Sequence, residues 1–242
     1  MIIMKSITIG ASVITMDHLN FQRDVKIAQE VGVDYLHIDV MDDHMVPRFG
    51  IYPEVIEQIC SVSKLPMDVH LMIENVESFV DRYSDFDNIE YISFHADENQ
   101  SNLYRIADLI RKFDKKPVLV FNLSSNIKGY FNVLNDEIWH GMMLMGIHPG
   151  VLDQKPRPQA VINNLEQINQ KVSNSNVLDF IQIDGAVNAK TIPSFISKGA
   201  SNLICGSSTL YKGISFRDLS DEKIHSKVRD NMNIIRKLID AS

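Results

Sequence analysis

The sequence contains little cysteine and no excess of positive charge. Cys60 and Cys205 are the only cysteines among 242 residues. They lie far apart and lack the spacing of a metal site, so we interpret both as free thiols in a reducing compartment. Lysine and arginine number 24 against 31 acidic residues, which gives a formal net charge of −7. This balance argues against a nucleic-acid partner and a polybasic membrane contact, although an acidic protein can still bind an anion locally.

Long apolar runs and linkers are also missing. No run reaches the roughly 18 apolar residues of a membrane span, and residues 1–5 lack the apolar core and cleavage signature of a signal peptide. We therefore expect no membrane partner and a cytoplasmic protein. No segment rich in proline, glycine or serine divides the chain, so we predict a single domain, residues 1–242. The hydrophobic fraction of 45% is that of an ordinary globular protein.

Short apolar runs rich in β-branched residues recur along the chain. Between them the apolar residues return with the helical period of about 3.6, as at Leu103, Ile106 and Ile110. Ser220 precedes a last amphipathic segment and is a candidate N-cap for a closing helix. The apolar runs predict eight strands, at residues 6–11, 34–41, 66–73, 91–96, 116–123, 141–147, 179–186 and 202–209.

This alternation of strands and single helices indicates a parallel sheet. Eight such units in 242 residues match the (βα)8 TIM barrel, whose usual size is about 250 residues. An open, doubly wound sheet is the main alternative. We predict an α/β protein with a single (βα)8 barrel.

Polar side chains share one face of several predicted strands. In the second strand, His37 and Asp39 point the same way, and in the third strand His70 does so with Asp68. Asp184 ends the seventh strand. The carboxyl ends of barrel strands converge on one mouth, and two imidazoles with two carboxylates suit a divalent ion of zinc, iron, manganese or cobalt.

Each of these residues also has an ordinary structural explanation. A histidine in a strand is more often a hydrogen-bonded core or surface residue than a ligand. Met41, Met72 and Met145 would by themselves be core residues. We interpret His44 and His95 as loop residues or as residues that support the ligands.

One motif carries a family resemblance. The segment HIDVMD at residues 37–42, followed by His44, Val46 and Pro47, resembles the ribulose-phosphate 3-epimerase family, whose pattern is close to HxDxMDGxFVPN. The resemblance covers about residues 6–212. Further matching segments follow in order: SVITMD at 12–17, DVHLM at 68–72, ISFHA at 92–96, Met145 before Pro149-Gly150, DGAV at 184–187 and Gly206-Ser207.

The resemblance implies an isomerase of the pentose phosphate pathway that converts D-ribulose 5-phosphate to D-xylulose 5-phosphate. His37, Asp39, His70 and Asp184 fall on the family's metal ligands, which implies one divalent ion as cofactor, and Asp39 and Asp184 also fall on its two catalytic acid/base groups. The implied substrate-binding residues are Ser12, Met41, Met72, Met145, Gly150, Gly185, Ala186, Gly206 and Ser207.

The chemistry of such a reaction fits these residue types. Inverting a carbon next to a ketone needs a base on one face of that carbon and an acid on the other. Two opposed carboxylates supply both, and a metal ion stabilises the charge of the enediolate as a Lewis acid. Methionines around the reacting carbons would exclude water while remaining adaptable.

The chain departs from the family pattern at the mouth. The loop after the sixth strand reads Gly150-Val151-Leu152-Asp153-Gln154 where the family commonly has a Gly-Phe-Gly-Gly-Gln type of sequence. Leu resists the positive φ that glycine permits, and Asp153 would repel a phosphate unless it points away. Asp43 replaces a glycine, and Asp tolerates left-handed backbone better than most residues. Arg48 stands where asparagine is usual.

These departures leave alternatives open. One is a 3-epimerase of a hexulose phosphate such as D-allulose 6-phosphate, and another is a sugar-phosphate-binding barrel without catalysis. The intact His37, Asp39, His70 and Asp184 argue against the second alternative. Self-association into a homo-oligomer is an expectation from the resemblance only.

Overall fold

The computed structural model describes residues 6–171 and 178–242 and contains the predicted barrel. Each strand pairs in parallel with the next, and β8 pairs with β1, so the sheet closes. This closure confirms the (βα)8 barrel and excludes the open, doubly wound sheet. The strands are β1 Thr8–Ser12, β2 Tyr35–Met41, β3 Met67–Met72, β4 Ile89–His95, β5 Lys116–Phe121, β6 Gly141–Met145, β7 Phe180–Asp184 and β8 Asn202–Cys205.

Helices surround the barrel and bury their apolar stripes against it. A short 3-10 helix, Val13–Thr15, follows β1, and another, Ile127–Tyr130, precedes α5. Among the described residues no helix is long and apolar enough to cross a membrane. The helices are α1 Phe21–Val31, α2 Pro53–Val62, α3 Val76–Tyr83, α4 Leu103–Lys112, α5 Phe131–Leu134, α6 Pro158–Lys171, α7 Ile192–Ser197 and α8 Asp221–Asp240.

The closing helix α8 completes the ring between α1 and α7. Ser220 occupies the N-cap position as predicted, but its side chain makes no capping hydrogen bond. The start of α8 is instead fixed by an ion pair of 3.0 Å between Arg23 Nη1 of α1 and Asp221 Oδ1. Further along, Arg236 Nη2 donates to the carbonyl of Gly32, at 2.9 Å.

Four predicted strands extend two or more residues too far at their carboxyl ends, and the backbone explains two of them, β7 and β8. The chain leaves β7 after Asp184 because Gly185 and Ala186 have φ values of 77° and 58°. Such left-handed residues cannot continue a strand. After β8 a turn begins, in which Thr209 N donates to Gly206 O at 3.1 Å. The other two, β5 and β6, end at Phe121 and Met145, each two residues before the predicted end. That residues 1–242 form one domain stays a prediction, since residues 1–5 and 172–177 lie outside the described residues.

The interior of the barrel is divided into an apolar and a polar side. Val118, Val120, Met143, Phe180 and Ile204 pack together inside the barrel. The polar side faces them from β2, β3, β4 and β7, with buried His37, Asp68, His70, Ser93 and Gln182. Because strand side chains alternate, the apolar residues at the other positions pack against the helices. The polar side therefore lies on the axis of the barrel, directly below its mouth.

Glycines make room for rings inside the barrel. A Cβ at Gly141 would lie 2.4 Å from Phe180 Cε2, and one at Gly10 would lie 2.4 Å from the ring of Tyr35. We predict that Gly141→Ala lowers the free energy of unfolding by about 1–3 kcal/mol, because real contacts do not come so close and the ring must move. Urea unfolding measures this change.

Gly129→Ala is the matched control, since the nearest atom to its added Cβ is 3.9 Å away. It should leave the stability within about 1 kcal/mol of the wild type. Equal stability of the two variants would mean that Phe180 does not fill the barrel as described.

Candidate active site

Four side chains from three strands meet at the carboxyl end of the barrel. β2 carries His37 and Asp39, and its register with β3 sets Asp39 directly beside His70. Asp184, the last residue of β7, approaches from the other side. One potential ligand atom from each residue lies within 4.8 Å of the others. Asp39 Oδ1 is 3.2 Å from His37 Nε2 and 3.3 Å from His70 Nδ1, and Asp184 Oδ2 is 3.8 Å from each nitrogen.

The two imidazole nitrogens that face the carboxylates have no hydrogen-bond partner. His37 Nε2 and His70 Nδ1 are both fully buried, and neither makes a hydrogen bond. A buried polar atom without a partner costs about 1–3 kcal/mol. Neutral imidazoles and carboxylates are good ligands for zinc, iron, manganese and cobalt. The donor set therefore fits a divalent cation, and the cluster could hold one.

A third carboxylate, Asp68, orients His37 from behind. Asp68 Oδ2 lies 2.9 Å from His37 Nδ1 and accepts a hydrogen bond of 2.6 Å from Gln182 Nε2. Ser93 donates to the other oxygen. Burial raises the pKa of Asp68, but these hydrogen bonds outweigh it and the pKa is lowered. An ionised Asp68 holds a proton of His37 on Nδ1, so Nε2 is the nitrogen that would present its lone pair to a cation.

His95 supports His70 in a similar way. Nε2 of His70 lies 2.9 Å from Nε2 of His95, and the two rings stack at 5.0 Å. Burial, assisted by the charge of His70, lowers the pKa of His95 well below its usual value. A neutral His95 can accept the proton of His70 Nε2, so His70 Nδ1 is free to bind a cation. His44, in contrast, is an exposed loop residue.

The carboxylates of the cluster have opposite pKa shifts. Burial raises the pKa of Asp39, but His37 and His70 lower it more, so it is well below its usual value. The pKa of Asp184 is raised by burial and by the negative charge of Asp39. Burial lowers the pKa of His37, yet Asp39 and Asp68 raise it well above normal overall. The protein groups therefore create a negative potential that favours a cation at this position.

A cavity of about 400 Å³ lies above the cluster. Its walls include the side chains of Asp39 and Asp184, while His37 and His70 lie beneath them. The sequence did not point to Thr15 and Asn188, which also line the cavity. All the predicted substrate-binding residues line this one cavity, namely Ser12, Met41, Met72, Met145, Gly150, Gly185, Ala186, Gly206 and Ser207.

The loops that depart from the expected pattern keep an ordered backbone. Asp43 and Asp153 adopt left-handed conformations, with φ of 60° and 52°. The expected tolerance of Asp for this conformation is thus confirmed, and Leu152 does not need a positive φ. Gln154 fixes the β6 loop, because its side chain accepts from His148 N at 2.6 Å and donates to Val151 O at 2.8 Å. Asp153 is exposed at the rim of the cavity.

Fold and site together define a TIM-barrel protein with a cluster of two His and two Asp residues at the mouth of its barrel that could hold a metal ion. Residues 8–210 match the sequence model of the ribulose-phosphate 3 epimerase family. The chain therefore belongs to this family and is an epimerase of the isomerase class.

Individual relatives agree with this membership. Ribulose-phosphate 3-epimerase of Methanocaldococcus jannaschii is 30% identical over 206 residues, which is 85% of each chain. The Bacillus subtilis enzyme of the same name is 31% identical, covering 83% of this chain and 91% of its own. A tryptophan synthase α-subunit from Pyrococcus furiosus has a TM-score of 0.67 at 13% identity, over 94% of this chain and 98% of its own. That similarity concerns the fold alone.

The buried Asp68 provides a test of how the cluster is organised. We predict that Asp68→Asn weakens the binding of zinc or manganese by about 10–100-fold. Asn has one acceptor oxygen where Asp68 accepts from three side chains, so His37 loses its fixed orientation. Calorimetric titration of the metal-free protein measures the affinity.

Asp24→Asn is the control, since Asp24 is also 1% exposed but pairs with Arg23 far from the cluster. It should lower stability and leave the metal affinity unchanged. Unchanged affinity in Asp68→Asn would show that Asp68 does not position His37.

Proposed function

We propose that the protein catalyses epimerisation at C3 of a ketose phosphate and interconverts D-ribulose 5-phosphate and D-xylulose 5-phosphate. The observation that carries this proposal is the pair Asp39 and Asp184, two carboxylates that reach one cavity from β2 and β7. These strands are separated by β1 and β8 in the closed barrel. The carboxylates can therefore approach a bound carbon from different sides, as inversion requires.

The two carboxylates exchange roles with the direction of the reaction. One group, ionised at the start, removes the proton from C3 of the substrate, which leaves an enediolate, and the other, protonated at the start, delivers its proton to the opposite face of C3. The released proton remains on the first carboxylate until product leaves. Met41, Met72 and Met145, all at most 7% exposed, form an apolar wall that keeps water from the intermediate.

His37 through Nε2, His70 through Nδ1, Asp39 and Asp184 would hold one divalent cation of zinc, iron, manganese or cobalt. When bound, the cation would act as a Lewis acid that stabilises negative charge on the substrate oxygens. Asp68 and His95 keep the two imidazoles in the orientation and tautomer that ligation needs. This assignment is supported by the two buried nitrogens that otherwise lack partners.

The loops after β7 and β8 would receive the phosphate. Gly185 and Ala186 have positive φ. At Gly206 there is little space for a side chain, since an added Cβ would lie 3.1 Å from Thr15 Cγ2. Backbone N–H groups at such turns can approach a phosphate closely, and this is the usual phosphate position in TIM barrels. Ser207 and Ser12, which line the same cavity, would complete the contacts with substrate.

Proton exchange at C3 tests the proposal directly. The metal-loaded protein is incubated in deuterated water with a panel of pentulose and hexulose phosphates and examined by NMR. We expect deuterium at C3 of D-ribulose 5-phosphate, formation of D-xylulose 5-phosphate and loss of both after chelation. A higher specificity constant for D-allulose 6-phosphate would favour the hexulose alternative, and binding without exchange would favour the sugar-phosphate-binding barrel.

A cytoplasmic location and self-association stay predictions.

The assignment of the acid/base groups gives a sharper prediction. Asp39→Asn and Asp184→Asn should each lower kcat by about 10²–10⁴-fold, because an amide can neither take nor deliver the C3 proton. Steady-state kinetics at saturating metal measure this effect.

Each variant has a control next to its own strand. Asp34 and Asp179 are exposed and stand just before β2 and β7, at the amino ends of these strands and opposite the mouth of the barrel. Asp34→Asn and Asp179→Asn should keep kcat near that of the wild type. A near-native rate in Asp39→Asn or Asp184→Asn would contradict the two-carboxylate mechanism.

A further inference from the structure

Arg48 is the sole basic side chain among the described residues that line the cavity. The other charged residues in its walls are Asp39, Asp153 and Asp184, which are all acidic. Arg48 is half-buried, and within residues 6–171 and 178–242 its guanidinium takes part in no ion pair and no side-chain hydrogen bond. A cation that is partly removed from water and has no protein partner is available to a ligand.

The loop that carries Arg48 is held firmly on the strand of the cluster. Gly50 N donates to Met41 O at 3.0 Å, and Ile51 N donates to Asp39 O at 2.8 Å. Inside the loop, Asp43 N donates to the carbonyl of Arg48 at 3.1 Å. The backbone of Arg48 is therefore fixed relative to Asp39, and its side chain reaches the cavity without any movement of the loop.

Close contacts connect this loop to the loops proposed to receive phosphate. A Cβ at Gly150 would lie 2.8 Å from Val46 Cβ and 3.4 Å from Pro47 Cδ, so the β2 and β6 loops touch across the mouth. In the same way, a Cβ at Gly146 would lie 2.4 Å from the carbonyl oxygen of Gly185. Arg48 thus stands at the end of a continuous wall that includes the β6 and β7 loops.

The negative charge of the cavity lining favours a basic side chain at the position of Arg48. A divalent ion at the cluster would offset Asp39 and Asp184, but Asp153 would remain at the rim and the whole chain carries a formal charge of −7. A phosphate ester brings close to two further negative charges, and backbone N–H groups supply only partial positive charge. A guanidinium presents paired donors that match two phosphate oxygens.

We propose that Arg48 binds the phosphate group of the substrate directly and makes the site selective for phosphorylated ketoses. This role rests on the proposed function, because it concerns the same cavity. The β2 loop thereby supplies a full positive charge inside the cavity, whereas the only charged residue that the β6 loop contributes to the described lining is Asp153. Phosphate is then held from both sides, by backbone N–H groups of the β7 and β8 loops and by the guanidinium.

Binding of a phosphate ester that cannot react tests this role separately from catalysis. The metal-loaded wild type, Arg48→Gln, Arg48→Lys and Lys155→Gln are titrated calorimetrically with glycerol 3-phosphate, and KM and kcat are measured with D-ribulose 5-phosphate. Lys155 is the matched control, since it is an exposed basic residue of the β6 loop that does not line the cavity. Its variant should bind glycerol 3-phosphate like the wild type.

We expect Arg48→Gln to weaken glycerol 3-phosphate binding and to raise KM by about tenfold or more, with kcat within about threefold of the wild type. Arg48→Lys should recover part of the affinity, and added salt should weaken binding less in Arg48→Gln than in the wild type. Equal affinity of the wild type and Arg48→Gln for glycerol 3-phosphate, including no binding by either, would overturn the proposal. Failure of the proposed function would appear instead as no C3 exchange in the wild type.

Discussion

The structure depends on how the barrel accommodates a group of charged and polar side chains on its axis. Two imidazoles and two carboxylates, those of His37, His70, Asp39 and Asp68, are buried there beside the partly exposed Asp184, and an uncompensated buried charge costs several kcal/mol. His37 and Asp68 compensate one another, and His70 is matched by neutral His95. Within the four-residue cluster, His37 Nε2 and His70 Nδ1 remain without a hydrogen bond, and both face Asp39 and Asp184. A divalent cation at that point would complete the compensation, and the cluster could hold one.

The apolar side and the polar side of the barrel interior have different roles. On β5 and β6, Val118, Val120 and Met143 give an apolar wall without polar atoms. On β2, β3, β4 and β7, hydrogen bonds run from one strand to another through Asp68 and fix the orientation of His37. Rigid strands thus hold the four residues of the cluster, while the loops at the carboxyl ends form the walls of the cavity. The residues of the cluster and the residues that recognise the substrate can therefore change independently in sequence. Arg48 and Asp153, which depart from the family pattern, both lie in loops.

Much of the fold and of the candidate site could be predicted from the sequence. The alternation of strands and helices predicted the barrel, and the two-residue spacing of His37 and Asp39 predicted that both face the mouth. The support of His37 by Asp68 was missed, because the partners Ser93 and Gln182 come from β4 and β7 and only tertiary pairing brings them together. The ends of β7 and β8 were missed because positive φ at Ala186 and the turn at Gly206 are local choices that apolar residues do not reveal. The lack of any protein partner for Arg48 likewise depends on the folded loops.

The central claim is that His37, Asp39, His70 and Asp184 form one cation site, with the imidazoles presented through Nε2 and Nδ1. Anomalous diffraction from crystals grown with zinc or manganese tests it most directly. The account predicts a single peak within about 2.0–2.3 Å of His37 Nε2, His70 Nδ1 and one oxygen of each carboxylate. A peak at another site, or no peak at these four residues in a crystal saturated with the ion, would contradict it.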